Sequence, residues 1–249
     1  MYPAAIAAQT PDKPAHIMAG TGEVVTYAEL DRRSNQVAQL LRRRGLRRGD
    51  SVAIFMENNA HFLEVAWGAA RSGLYFTAVS SRLTAPEVSY IVNDCGAKAI
   101  FTSRDRAEVA TEAVRDTPGA ATRVMFYGAV DGFEDAEEVL GAQSEGPIDD
   151  ESPGMDMLYS SGTTGRPKGV KLPLPETPIG SPTGIFMLAT ALYGVTADTV
   201  YLSPAPLYHA APLRFSMAMQ QAGATVVVME HFDPVEYLRC VQDYRVTHT

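Results

Sequence analysis

Apolar and polar positions along the first half of this chain alternate between two periods. Short apolar runs begin at Ser51, Leu74, Lys98 and Thr122, spaced 23, 24 and 24 residues apart. That interval holds one strand, one helix and two short loops, the repeat of parallel βαβ units. Between the runs the period is helical. Leu30, Ser34, Val37, Ala38 and Leu41 share one face of a helix that opens at the capping box Thr26-Tyr27-Ala28-Glu29 and stops at Gly45. A second helix is predicted over 59–72, ending at Gly73. A third opens at the capping box Thr84-Ala85-Pro86-Glu87, with Pro in its first turn.

The rhythm breaks between Gly128 and Gly154, where Gly, Asp, Glu, Ser and Pro dominate. This reads as a surface connection with one short helix at Glu134–Leu140. The second half predicts a strand at 155–159, a Gly/Ser/Thr loop at 160–169 and a proline-rich stretch. A helix at 183–193, a strand at 199–202, a helix at 214–221, a strand at 224–229 and a helix at 233–244 follow. The pattern is that of an α/β protein with largely parallel sheets and flanking helices. It divides into a first α/β region, 1–150, and a second, 151–249, that carries the loop.

Composition narrows what such a fold can serve. Of 249 residues, 46% are hydrophobic and 20% charged, ample for a packed core. Lys and Arg number 21 against 29 Asp and Glu, a formal charge of -8, which argues against nucleic acid as a partner because such binding rests on basic residues neutralising phosphates. Cys95 and Cys240 offer neither a disulfide framework nor a CxxC metal pair. No apolar stretch reaches the roughly 18 residues of a membrane span. Residues 1–16 lack the basic start and long apolar core of a secretory signal. A cytoplasmic globular protein is the expectation.

Candidate chemistry concentrates at 159–170, YSSGTTGRPKGV. Glycines Gly162, Gly165 and Gly169 let backbone N–H groups turn inward as an anion nest. The hydroxyls of Ser160, Ser161, Thr163 and Thr164 add donors, and Lys168 adds a mobile positive charge. Together these can hold a polyphosphate. From Gly162 the lysine falls at the offset of a Walker A loop, GxxxxGK[ST]. However, Pro167 stands in place of the second glycine, and Gly169 in place of the Ser or Thr that would hold Mg2+. An ordinary P-loop NTPase is therefore disfavoured, and a flexible turn with an incidental lysine is the bland alternative.

The stretch resembles the phosphate-binding signature of the adenylate-forming superfamily: acyl-CoA synthetases, peptide-synthetase adenylation domains and luciferases. VTYAELDRRSNQVAQLL at 25–41 and the segment 49–59 are similar to the family's N-terminal signature, and Leu207-Tyr208-His209-Ala210 to its LYHA-type motif. The final Arg245-Val246-Thr247-His248-Thr249 resembles the start of a further family segment. The likeness implies the N-terminal part of the acyl-CoA synthetase large domain, and so a portion of a longer protein that does not turn over alone. It implies a two-step reaction in which a carboxylate attacks the α-phosphate of Mg-ATP, then a thiol, usually coenzyme A, takes the acyl group. The partners implied are a small-molecule carboxylic acid, ATP, Mg2+ and coenzyme A. Lys168 and the loop N–H groups would stabilise charge on the leaving pyrophosphate. Ser160 would lie near the metal and triphosphate, with Ser161, Gly162, Thr163, Thr164, Gly165 and Gly169 completing the phosphate site. His209 would sit near the carboxylate, either polarising it or shaping the mouth of the acyl pocket. A fatty acyl substrate is the leading expectation on family grounds. Aryl, steroid-side-chain and amino acids are the alternatives, and a non-catalytic nucleotide-binding relative is the alternative from another class. One departure stands out: where relatives continue with a TH-type dipeptide, this chain has Lys171-Leu172-Pro173-Leu174-Pro175.

The basic run Arg42-Arg43-Arg44-Gly45-Leu46-Arg47-Arg48 reads most simply as a solvated helix end, where cations favour the negative pole of the dipole. The sharper reading is contact with anionic lipid, as weak peripheral membrane contact, or with a phosphorylated ligand. His16, His61, His231 and His248 show no metal-ligand spacing. Phe215, Met217 and Met219 suit a helix core as well as an acyl pocket.

Overall fold

The computed structural model describes residues 2–160 and 167–249. In chain order the strands are β1 (Pro14–Met18), β2 (Val24–Thr26), β3 (Ser51–Phe55), β4 (Tyr75–Ala78), β5 (Ala97–Ser103), β6 (Thr122–Phe126), β7 (Glu134–Asp135), β8 (Met155–Asp156), β9 (Leu158–Ser160), β10 (Lys168–Val170), β11 (Val200–Ser203) and β12 (Thr225–Val228). The helices are α1 (Pro3–Ala7), α2 (Tyr27–Arg43), α3 (Phe62–Arg71), α4 (Ala85–Asp94), α5 (Ala107–Ala113), α6 (Ala136–Gly141), α7 (Gly184–Tyr193), α8 (Ala210–Gln221) and α9 (Pro234–Asp243). They fall into two compact units, neither continuous in sequence. The first comprises Met1–Arg32, Asn58–Leu63 and Ile179–Thr249, the second Arg33–Glu57 and Glu64–Pro178. The sequence reading instead divides the chain once, at 150.

The second unit is built on a six-stranded sheet of order β7-β6-β5-β3-β4-β8, parallel throughout. Every residue of β3 and β4 is buried, as parallel strands covered on both faces require. The 24-residue rhythm thus corresponds to β3, β4, β5 and β6. α4 opens at the predicted capping box, its Thr84 N–H donating to Glu87 Oε2 at 2.8 Å. Val88, Ile91 and Val92 on its buried face join a core with Phe55, Ile100, Met125 and Met157. Where α3 crosses α2 only glycine fits: a Cβ on Gly68 would lie 2.4 Å from Val37 Cγ1 and 3.0 Å from the Ser34 carbonyl oxygen. Arg71 is buried at the end of α3, pairing with Glu151 at 2.7 Å and donating to Ser34 Oγ at 2.8 Å.

Arg43, Arg44, Arg47 and Arg48 are exposed, as a solvated helix end requires, yet the run is also paired with the chain around it. Arg42 pairs with Asp150 at 3.0 Å and donates to the carbonyl of Leu46 at 2.7 Å. Arg43 donates to Gln143 at 2.9 Å, and Arg44 pairs with Glu134. Arg48 reaches the carbonyls of Pro153 at 3.0 Å and Pro175 at 2.7 Å. These arginines strap the acidic connection at 128–154 onto the unit. Within that connection α6 lies close to its expected place, capped by Asp135, and two residues ahead of it form β7, an edge strand too short for periodicity to reveal.

The first unit holds a four-stranded sheet of order β11-β12-β1-β2, in which β11, β12 and β1 run parallel and β2 pairs antiparallel with β1. β1 and β2 were not foreseen; with five and three residues, they carry too little pattern. Tyr27, fully buried, donates to the carbonyls of Gln220 at 3.1 Å and Ala224 at 2.7 Å. Leu202, Val227, Met229 and Cys240 form a small core beside α9. Cys95 and Cys240 are both buried free thiols. Among the described residues, no helix is long and apolar enough to cross a membrane.

Candidate functional site

The expected single strand at 155–159 is two strands that serve different sheets. Met155–Asp156 extends the parallel sheet beside β4, and Met157 drops into the core. Leu158–Ser160 then turns into an antiparallel pair with Lys168–Val170, in register Lys168↔Ser160, Gly169↔Tyr159 and Val170↔Leu158. The ends of the predicted loop are therefore a hairpin. Directly opposed residues of an antiparallel pair project to one face, so Ser160 and Lys168 point the same way. Both are exposed. Ser160 Oγ lies 3.5 Å from the Lys168 carbonyl oxygen, too far for a strong bond, so this contact holds the hydroxyl only weakly. Ser161, Gly162, Thr163, Thr164 and Gly165 lie outside the described residues.

On the other face of the hairpin Gly169 lies against the ring of Tyr159. A Cβ there would stand 2.6 Å from Met157 Cε and 2.8 Å from Tyr159 Cζ, so a side chain would force the strands apart. Three phenols surround this frame. Tyr159 donates to Asp94 Oδ2 at 2.5 Å, Tyr90 to the Pro167 carbonyl at 3.1 Å, and Tyr75 to the Leu172 carbonyl at 2.7 Å. The Lys171 ammonium lies over the Tyr75 ring, 4.4 Å from its centroid. Burial first, then the Asp94 carboxylate, pushes the Tyr159 phenol well above its ordinary range, so it stays a neutral donor. Burial likewise raises the Cys95 thiol, which makes it a poor nucleophile.

An exposed hydroxyl and an exposed ammonium on one face suit an anion. For Mg2+ the donor set among the described residues is small. Ser160 offers one oxygen, and among the described residues no three His, Cys, Asp or Glu are grouped to hold a metal. A single hydroxyl would take one place on a Mg2+ ion that arrives on substrate phosphates.

His209 belongs to the first unit. It is the N-cap residue of α8, with extended backbone and no side-chain cap bond, and its exposed ring stands 4.5 Å from that of Tyr208. The segment leading to it is held by Asn58, whose Oδ1 accepts from the Leu207 N–H at 2.7 Å and whose Nδ2 donates to the Met229 carbonyl at 2.8 Å. Sequence reasoning missed Asn58, Tyr90 and Asp94. Only Asn58 sat in a singled-out stretch, the Asn58-Asn59 pair after an apolar strand. A surface hollow of about 690 Å³ lined by Glu108, Thr111, Glu112 and Arg115 contains none of the candidate residues.

The fold and the hairpin define a class: residues 4–249 match the family of AMP-binding enzymes, and the chain belongs to it. It is 31% identical over 246 residues to a long-chain-fatty-acid–CoA ligase of Mycobacterium tuberculosis, covering 95% of this chain and 46% of that protein. A feruloyl-CoA synthase of Amycolatopsis is 32% identical over 231 residues, with 91% and 43% covered. Among solved structures, the inhibitor-bound N-terminal domain of FACL13 from Mycobacterium tuberculosis superposes with a TM-score of 0.82 at 30% identity, covering 98% of this chain and 60% of that one. The chain spans about half the length of the curated relatives it matches.

Proposed function

We propose that this chain carries the phosphate-holding part of an ATP-dependent carboxylic acid:CoA ligase, acting through an acyl-adenylate, with a fatty acid as its leading substrate. The observation that carries the reading is the direct pairing of Ser160 with Lys168, which turns hydroxyl and ammonium to one face of a hairpin inside the YSSGTTGRPKGV signature. ATP, when bound, supplies the phosphorus that activates the carboxylate. The Lys168 ammonium neutralises charge on the pyrophosphate side, and the Ser160 hydroxyl donates to phosphate or takes a place on Mg2+. His209, at the positive end of α8, suits contact with a carboxylate. Coenzyme A as thiol acceptor and a cytoplasmic location belong to the same reading. An aryl acid is the second reading, since identity to a feruloyl-CoA synthase, 32%, is within one percentage point of that to a fatty-acid ligase, 31%.

The test is ATP–pyrophosphate exchange by the full-length protein over a panel of fatty and aryl acids. Exchange with at least one acid is expected, and Lys168→Ala should lower it by roughly a hundredfold while leaving the thermal midpoint unchanged. Intact ATP binding without exchange for any acid would refute the ligase reading. An unchanged rate in Lys168→Ala would refute the role of the lysine.

A further inference from the structure

The hairpin that presents Ser160 and Lys168 has only three residues in each strand. Two strands of that length have little stability of their own, so their spacing must be set from outside. α4 does so at two points. Tyr90 and Asp94 stand four residues apart on it and therefore share a face. Asp94 accepts from the Tyr159 hydroxyl, and Tyr159 immediately precedes Ser160. Tyr90 donates to the carbonyl of Pro167, which immediately precedes Lys168. Each strand is thus tied to the same helix one residue away from the group it presents. The helix is a firm post, capped at Thr84 and anchored in the core by Val88, Ile91 and Val92. Gly169 against Tyr159 closes off the alternative register, since a slip would bring a Cβ onto the ring.

We propose that Tyr90 and Asp94 are positioning residues that fix the separation of the Ser160 hydroxyl and the Lys168 ammonium, and so tune the affinity for the polyphosphate of ATP. The inference rests on the reading of Ser160 and Lys168 as a polyphosphate site. Groups that bind an extended anion gain most when held in place beforehand. Loosening either tie should therefore weaken the response to ATP and leave the response to the carboxylic acid alone.

The experiment uses Tyr90→Phe, Asp94→Ala, Asp94→Asn and Tyr159→Phe in the full-length protein, with KM for ATP and for the acid measured by pyrophosphate exchange and Kd for ATP by calorimetry. Tyr90→Phe, Asp94→Ala and Tyr159→Phe are expected to raise KM and Kd for ATP about tenfold, with KM for the acid within about twofold of the parent. Asp94→Asn, whose carbonyl can still accept from Tyr159, should recover most of the loss. Asp94→Ala added to Tyr159→Phe should cost nothing further. Parent-like ATP constants in Tyr90→Phe and Asp94→Ala overturn the proposal, as does an equal rise in KM for ATP and for the acid. Should the parent bind ATP but exchange with no acid, the ligase reading fails by itself; the calorimetric arm still decides, a tenfold weaker Kd supporting the two ties and an unchanged one refuting them.

Discussion

Asp50 shows how one side chain can tie neighbouring strands together. It stands just before β3, accepts the Arg47 N–H at 2.8 Å and pairs with Lys98 on β5 at 2.7 Å. Burial alone would raise its pKa, but the Lys98 and Arg47 hydrogen bonds outweigh it and hold the carboxyl below the ordinary carboxylate range. A depressed folded pKa adds stability that is complete above the unfolded value, near 3.9, and vanishes as pH falls through the folded one. Asp50→Asn should cost about 1 kcal/mol at neutral pH, a modest sum because Lys98 is half exposed. It should also flatten the acid limb of a stability profile; urea midpoints from pH 2 to 7 that fall in parallel with the parent would refute this. Ser160 and Lys168 stand out as candidates because the continuous stretch 159–170 announces them, and His209 because of the short motif 207–210. Tyr90 and Asp94 were not, because their meaning lies in partners some 65–77 positions away.

The four strands β3, β4, β5 and β6 were legible as elements because strands buried on both faces write continuous apolar runs. Strands of two or three residues, such as β7, β8 and β10, write no period. β10 was further hidden by the glycine and lysine that make it chemically interesting. The arginines after α2 teach the opposite lesson: charge runs look solvated in sequence, and only the return of the chain at 128–154 supplies Glu134, Gln143 and Asp150. Reversing Arg42 and Arg44 together to Glu should therefore act on the strap, lowering stability by roughly 1–3 kcal/mol since Arg42 is mostly buried. Thermal unfolding checks the loss. A parent-like midpoint combined with reduced, salt-sensitive binding to anionic liposomes would favour the membrane reading instead.

At the scale of the molecule, neither unit is a stretch of sequence. The first 32 residues share a sheet with strands that follow residue 199, and β1 lies between β12 and β2 with His16↔Val226 and Ile17↔Val227 in register. Local periodicity carries no information about such a pairing. Deleting residues 2–26 should leave the buried, Val-rich β12 with an open edge. Such a variant is expected in the insoluble fraction, and its recovery as a monodisperse, folded protein would contradict the topology.

The same topology sets an order of events during synthesis. β1 is complete at Met18, but its parallel partner β12 ends only at Val228. A ribosome adding 5–20 residues per second needs roughly 10–40 s to cover those roughly 210 residues. The second unit has all its strands and helices once Pro178 is made. β1 thus leaves the ribosome well before the strand it pairs with, and the nascent strand must stay unpaired, and in need of a chaperone, over that interval.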